Sequence, residues 1–204
     1  MSPLTLLLAF AEPLPTELVA VSFSPEGTRA LVETRWVLDG PGFPVARLEV
    51  FDLATGKHLL DERVELREAA AAAGLPGATA AAHEQYSSQL ASFGLPAAAA
   101  TPGTCADGTC GRGAGCFDGG TPVEVATTVV SGETCPENWS GELPTVVVGG
   151  KSFAIDAERV PCARHFAAGA LYTSGQSGVL ILNYEMPGNE GPAPRFFAMA
   201  GSFR

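Results

Sequence analysis

The chain has 204 residues, of which 46% are hydrophobic and 17% are charged, so it can bury the core of a single domain. Its 22 acidic residues outnumber its 12 basic residues and give a formal net charge of -10. Proteins that bind nucleic acids or anionic membranes carry basic surfaces, so the composition argues against both partners. No run of about 20 apolar residues is present, and we therefore expect no transmembrane segment.

The first residues resemble a secretory signal peptide. An apolar run over residues 4–11 ends in an A-x-A pattern, which is the kind of sequence at which signal peptides are cleaved. The run is short and no basic residue precedes it, and a buried first strand is the alternative interpretation. We predict that residues 1–11 are a signal peptide, that residues 12–204 form one β-rich domain, and that the protein is secreted or periplasmic.

The sequence after this segment predicts an antiparallel meander, with strands over 18–23, 28–37, 45–52 and 59–64. Apolar and charged side chains alternate along the second and third strands, so each is expected to bury one face and expose the other. The expected inward set is Ala30, Val32, Thr34, Trp36, Ala46, Leu48 and Val50, and the expected outward set is Arg29, Glu33, Arg35, Arg47 and Glu49.

An alanine-rich sequence follows and predicts a helical segment over residues 66–93, broken in two by a Gly-Leu-Pro-Gly sequence at 74–77. The second part, over 78–93, has an apolar stripe at the spacing of one helix face. The stripe consists of Ala82, Tyr86, Leu90 and Phe93. A glycine- and cysteine-rich insertion over 101–140 comes next, and we expect it to be ordered only if it is cross-linked.

The cysteines support an oxidising compartment, because disulfides commonly hold glycine-rich loops in exported proteins. They are Cys105, Cys110, Cys116, Cys135 and Cys162. We predict at least one disulfide among the first three and a second that joins Cys135 to Cys162 and ties the base of a hairpin. The number is odd, so one thiol stays free or pairs elsewhere. The spacing does not match paired C-x2-C zinc knuckles, and we predict neither a metal site nor a cofactor.

The C-terminal part predicts further strands over 123–130, 145–148, 152–155, 179–184 and 195–200. Residues 179–184 are almost continuously apolar, which is typical of a central strand covered on both faces. A turn, a long strand and a Pro/Gly-rich loop recur in both halves of the chain, which suggests a repeat. The predicted fold class is mainly β with one or two helices (β-rich α+β). Two antiparallel sheet units resembling propeller blades would pack as a sandwich or a partial propeller.

Residues 21–30 resemble the F-S-P-D-G opening hairpin of TolB and WD40-like propeller blades. Together with the Pro/Gly-rich loops at 39–44 and 187–198, they resemble the DUF2259 family of predicted secreted proteins. The resemblance covers residues 18–95 and 171–202, and the cysteine-rich insertion departs from it. It implies export and the two-unit β architecture, and it implies no activity.

Candidate binding residues lie near the Pro/Gly-rich loops, where aromatic and arginine side chains are typical of binding surfaces. They are Trp36, Phe43, Arg47, Glu190 and Arg195. The alternative is that the two arginines hold the loops, by bonding to loop carbonyl groups or by pairing with acids.

No catalytic motif is complete, and the three histidines, His58, His83 and His165, fall in different predicted segments. We therefore expect an exported, non-catalytic envelope or periplasmic protein that acts as an interaction module. Its partner would be an unknown protein or envelope component. The alternative is an exported, hydrolase-like enzyme whose site is built around His165, Cys162 and nearby acids.

Overall fold

The computed structural model describes residues 17–38, 41–96, 116–117, 121–130, 135, 139–154, 162–188 and 191–202. Within these residues the protein is mainly β, with one α-helix and three antiparallel sheets. The predicted β-rich α+β class is confirmed. The predicted signal peptide lies outside the described residues.

Sheet A is an antiparallel meander of four strands, β1 (Glu17–Phe23), β2 (Arg29–Val37), β3 (Pro44–Asp52) and β4 (His58–Glu65), paired in that order. The predicted meander is confirmed. The β1–β2 turn is held by the hydroxyl oxygen of Ser24, which accepts hydrogen bonds from the backbone N–H groups of Thr28 and Arg29 at 3.3 and 3.2 Å. Serine side chains satisfy turn donors in this way.

One face of sheet A is covered by α1 (Gly74–Ser92), which follows a short 3₁₀ helix (Glu68–Ala73). The predicted break therefore falls at Gly74, whose φ of +64° suits glycine. The α-helix begins at this residue, earlier than the sequence indicates. Pro76 lies in the first turn, where backbone N–H groups have no intrahelical partner, so proline is tolerated. No helix in the described part of the chain is long and apolar enough to cross a membrane.

The remaining strands are β5 (Cys116–Phe117), β6 (Val123–Val130), β7 (Gly141–Val148), β8 (Lys151–Ala154), β9 (Arg164–Ser174), β10 (Ser177–Gly188) and β11 (Gly191–Ser202). Sheet B has the order β11-β10-β9-β5, and sheet C has the order β6-β7-β8. Sheets A and B correspond to the two predicted units. Sheet C is a third sheet, formed by β6–β8, which lie in the sequence between β5 and β9 of sheet B.

Strand β10 lies between β11 and β9 in sheet B and packs against both neighbouring sheets. Val179 and Ile181 pack on the apolar face of sheet A, and Leu180 and Leu182 pack on sheet C. The prediction of a strand covered on both faces is confirmed for residues 179–182, whereas Asn183 is exposed. Since α1 packs on the opposite face of sheet A, the layers follow the order α1, sheet A, sheet B and sheet C.

The predicted exposure of one face of β2 and β3 is wrong at two glutamates. Glu33 is 1% exposed and Glu49 is 8% exposed, although the alternation places both on an outward face. Glu33 lies beneath α1, while Glu49 is on the face turned toward sheet B. Both faces of these strands are covered because sheet A is an inner layer.

Sheets A and B meet closely at one end. A Cβ atom placed at Gly56, whose φ is +70°, would lie 2.7 Å from the carbonyl oxygen of Ala200. Only glycine allows the β3–β4 turn to approach β11 this closely. The turn is thereby fixed against sheet B, and it leads directly into His58 at the start of β4.

Candidate functional site

The candidate binding residues of the Pro/Gly-rich loops do not form an exposed aromatic surface. Trp36 is 2% exposed, because it lies on the covered face of β2, and this corrects the expectation for that residue. Phe43 and Arg195 are half-buried. Glu190 lies outside the described residues.

Arg47 is held by an acid on the neighbouring strand. Its Nε and Nη2 atoms donate to the two carboxylate oxygens of Asp61 at 2.7 and 2.8 Å, and Nη2 lies 3.5 Å from Oε1 of Glu49. The interpretation of Arg47 as a residue that stabilises local structure therefore has direct support.

One further residue, His58, completes what we call the β3–β4 cluster, which consists of Arg47, Glu49, His58 and Asp61. His58 Nε2 lies 3.1 Å from Glu49 Oε1. One donor atom from each of Glu49, His58 and Asp61 lies within 4.8 Å of the other two. An imidazole and two carboxylates in this arrangement are the described residues that could hold a metal ion.

A register shift in sheet A brings His58 into the β3–β4 cluster. Val50 pairs with Leu60, but the next residue, Phe51, pairs with His58, so Leu59 is skipped. In a regular strand, residues 58 and 61 would point to opposite faces, because side chains alternate. The irregularity puts both side chains on the face that carries Glu49, as bulges commonly do when they redirect a side chain.

The turn before His58 is also stabilised by a carboxylate. The side-chain hydroxyl and the backbone N–H of Thr55 donate to Oδ1 of Asp52 at 2.7 and 2.8 Å, and these bonds hold the pKa of Asp52 below its usual value. The resulting stabilisation is fully present above the pKa that Asp52 has in the unfolded chain. It is lost as the pH falls through the lower pKa that Asp52 has in the folded protein.

A second polar group surrounds the predicted disulfide, and we call it the disulfide corner. Cys135 and Cys162 are joined, with Cα atoms 5.4 Å apart, so this predicted pairing is confirmed. The bridge closes a loop with a sequence separation of 27 and is expected to contribute about 2–4 kcal/mol. Cys105 and Cys110 lie outside the described residues, and the side chain of Cys116 is not described, so the other predicted bridge stays a prediction.

The disulfide corner also contains Trp139, Arg164, His165 and two glutamates. The indole N–H of Trp139 donates to the carbonyl oxygen of Cys162, and the Arg164 guanidinium lies 3.6 Å from the centroid of the Trp139 ring. His165 Nδ1 lies 2.9 Å from Glu185 Oε2. These contacts fix the chain around the bridge.

The backbone of the disulfide corner is strained at two positions. Cys162 and His165 have φ values of +62° and +54°, in a region that residues with a Cβ atom rarely adopt. The backbone N–H of His165 donates to Glu142 Oε2 at 2.9 Å, which helps to hold this conformation. Strain of this kind often occurs at functional sites.

The three histidines do not converge on one site, and each is paired with a different glutamate. His58 pairs with Glu49 on sheet A, His83 of α1 pairs with Glu33, and His165 pairs with Glu185 on sheet B. The thiol of Cys162 is consumed in the disulfide. Of the residues proposed for an alternative enzyme site, His165 does contact two acids, Glu185 and Glu142. Cys162, however, has no free thiol that could act as a nucleophile.

Strand β6 is an edge strand with an unusual amount of exposed side chain. Its sequence VEVATTVV contains no glycine or proline and one charge, Glu124. Residues 126–129 are exposed in succession, on both faces of the strand, and Val129 is 66% exposed. Among the described residues, β6 pairs only with β7. The β-branched residues of 123–130 predict a strand, but they do not indicate that this strand lies at the edge of a sheet.

No protein-family model, curated protein or solved structure matches the chain.

Proposed function

We propose that the protein is an exported, disulfide-stabilised interaction module of the cell envelope or periplasm, or of the secreted fraction, and that it has no catalytic activity. The observation that carries the proposal is the Cys135–Cys162 disulfide. Disulfides persist in oxidising compartments and are rare in the cytosol. The resemblance to the DUF2259 family of predicted secreted proteins, which we propose as the chain's family, supports the same compartment.

The environments of the histidines support a non-catalytic role. A general acid–base site requires groups that converge on one point where a substrate can bind. Each histidine is instead engaged by one glutamate at a separate place. The enzyme alternative would have to use His165 and Glu185 without a cysteine nucleophile.

The outer edge of β6 is the surface that best suits a partner. An edge strand presents unpaired backbone N–H and C=O groups that another strand can bind, and such β-augmentation takes its affinity from main-chain hydrogen bonds. We propose that β6 binds an extended segment of a partner protein. Basic residues in that segment would complement Glu124 and the net charge of -10.

Export predicts both the N-terminus and the thiol state of protein isolated from its own host. We expect a mature chain that begins near Glu12 and, after alkylation without reduction, a cross-linked peptide containing Cys135 and Cys162. The measurements are N-terminal sequencing and mass spectrometry, with a reduced and alkylated sample as the control. Cytosolic protein that begins at Met1 or Ser2 with all five cysteines alkylated would contradict the proposal.

Binding through β6 predicts that a charge on its exposed edge weakens the complex. We expect Val129→Lys to reduce affinity for a partner recovered from envelope extracts by about tenfold or more, which corresponds to about 1.4 kcal/mol. The control is Val37→Lys on β2, since Val37 is also an exposed valine, at 45%. Affinities are measured with the purified partner. Equal losses in both variants, or no loss in Val129→Lys, would rule out β6 as the binding surface.

A further inference from the structure

We propose that the β3–β4 cluster binds a divalent transition-metal ion, with Glu49, His58 and Asp61 as its ligands, and that Zn²⁺ fits the site best. This inference does not depend on the proposed interaction function. It rests on the spacing of the donor atoms, the charge they carry, and the way in which the fold positions His58.

The donor atoms are already near the spacing of a metal site. Tetrahedral Zn²⁺ with bonds of about 2.0–2.2 Å to nitrogen and oxygen places its ligands about 3.3–3.6 Å apart. The observed distance from His58 Nε2 to Glu49 Oε1 is 3.1 Å, and the donor atom of Asp61 completes a group within 4.8 Å. Small rotations of the side chains would bring the three atoms onto one ion.

The charge of the cluster favours a divalent cation. Glu49 and Asp61 are directly opposite each other on β3 and β4, and like charges in this position destabilise a sheet. Arg63 lies opposite Arg47 on the same face of the sheet, and Arg47 contacts both carboxylates. A divalent ion would neutralise both, and the Arg47 side chain, which is 30% exposed, has a route into solvent when the ion displaces it.

Packing holds the imidazole and one carboxylate in place before any ion binds. The side chains of Glu49 and His58 are 10% and 19% exposed. The centroids of the Phe51 and His58 rings lie 4.3 Å apart. The skipped residue in β4 is what turns His58 toward Glu49. A preorganised set of ligands loses less side-chain entropy on binding.

The donor set selects the class of metal. Neutral imidazole and carboxylate ligands together suit Zn²⁺ and its neighbours in the first transition row, whereas Ca²⁺ and Mg²⁺ prefer oxygen ligands alone. Asp61 is exposed at 38%, so a fourth position on the ion would face solvent. A water molecule or a group from a partner would occupy it.

The same contacts also describe an ion-pair network in which Arg47 pairs with both carboxylates. The experiment that separates these possibilities is a calorimetric titration of the full chain with Zn²⁺, after removal of metal with a chelator. Any accessible thiols are first alkylated without reduction, so that cysteines do not compete. We expect one equivalent of Zn²⁺ per chain, and Co²⁺ in its place should give the visible absorption of a four-coordinate site.

Ligand variants assign the binding to this cluster. Glu49→Gln, His58→Gln and Asp61→Asn should each weaken Zn²⁺ binding by about 100-fold or more, because loss of a group that merely supports a ligand already costs about 10–100-fold. The matched controls are Glu62→Gln, adjacent to Asp61 on the other face of β4, and His165→Gln at the disulfide corner. Both should bind Zn²⁺ as the unmodified protein does. Circular dichroism verifies that each variant is folded.

Arg47→Gln tests the role of the guanidinium as a competing cation. We expect this variant to bind Zn²⁺ about tenfold more tightly, since the ion no longer competes with the Arg47 guanidinium for the two carboxylates. Absence of saturable Zn²⁺ binding to the unmodified chain would overturn the proposal and leave the ion-pair network. Binding that survives all three ligand substitutions, or that weakens in Arg47→Gln, would also overturn it.

Discussion

Replacing His83 with alanine is expected to lower the free energy of unfolding by about 3–5 kcal/mol, the usual cost of removing one partner of a buried ion pair. His83 Nε2 lies 2.8 Å from Glu33 Oε2, and the two residues are 4% and 1% exposed. The variant leaves the Glu33 carboxylate buried between sheet A and α1 without its partner. Desolvation of that carboxylate is the main source of the loss.

The pair is already incompletely satisfied. Among the described residues, Glu33 Oε1 and His83 Nδ1 are buried atoms without a hydrogen-bond partner. Replacing both residues with leucine should therefore restore most of the stability that His83→Ala loses, since apolar side chains of similar volume often match or exceed a buried ion pair. Unfolding in urea or guanidinium chloride at neutral pH measures all of these variants.

The control for this experiment is His165→Ala, which removes a histidine whose side chain is 60% exposed and also paired with a glutamate. It should cost at most about 1 kcal/mol, as exposed ion pairs do. Equal losses for His83→Ala and His165→Ala would contradict the assignment of the Glu33–His83 pair as a buried structural contact.

Leu90→Ala is expected to cost about 2–5 kcal/mol, because it removes a fully buried side chain and leaves a cavity. Leu90 is 0% exposed and belongs to the cluster that joins α1 to sheet A. Most of the stability of a helix in a protein comes from the packing of its apolar face, so α1 depends on this contact. The measurement is again the free energy of unfolding in denaturant.

The matched control is Leu59→Ala on β4, where leucine is 42% exposed. We expect a change within about 0.5 kcal/mol, which is typical of surface positions. If Leu90→Ala lowers the free energy of unfolding by less than about 0.5 kcal/mol, other contacts hold α1 on sheet A. The Glu33–His83 pair is the first such contact to test.

Much of the local structure follows from the sequence. The alternation in residues 18–64 predicts the four strands of sheet A, and the apolar run at 179–184 predicts a strand covered on both faces. The pairing of Cys135 with Cys162 follows from their position on either side of a hairpin. The strands depend on residues that are neighbours in the sequence, and the disulfide depends only on the closing of one hairpin.

The burial of the glutamates on sheet A depends on contacts between layers, which sequence patterns do not predict. Alternation identifies two faces of a strand but not what covers each face, so Glu33 and Glu49 were expected in solvent. Glu33 is buried because α1 covers its face of sheet A. Glu49 is buried because sheet B packs on the opposite face.

The sequence by itself determined the fold class, most of the strands, the helix and one disulfide, because hydrophobic period and turn chemistry are local properties of the chain. It did not indicate β5 or β9. Only the tertiary structure decided which histidine meets which glutamate. His83 reaches Glu33 across 50 residues, and His58 joins Glu49 and Asp61 because one residue is skipped in the pairing of β3 with β4. Packing between layers and strand register fix these contacts, and both arise only when distant segments of the chain come together.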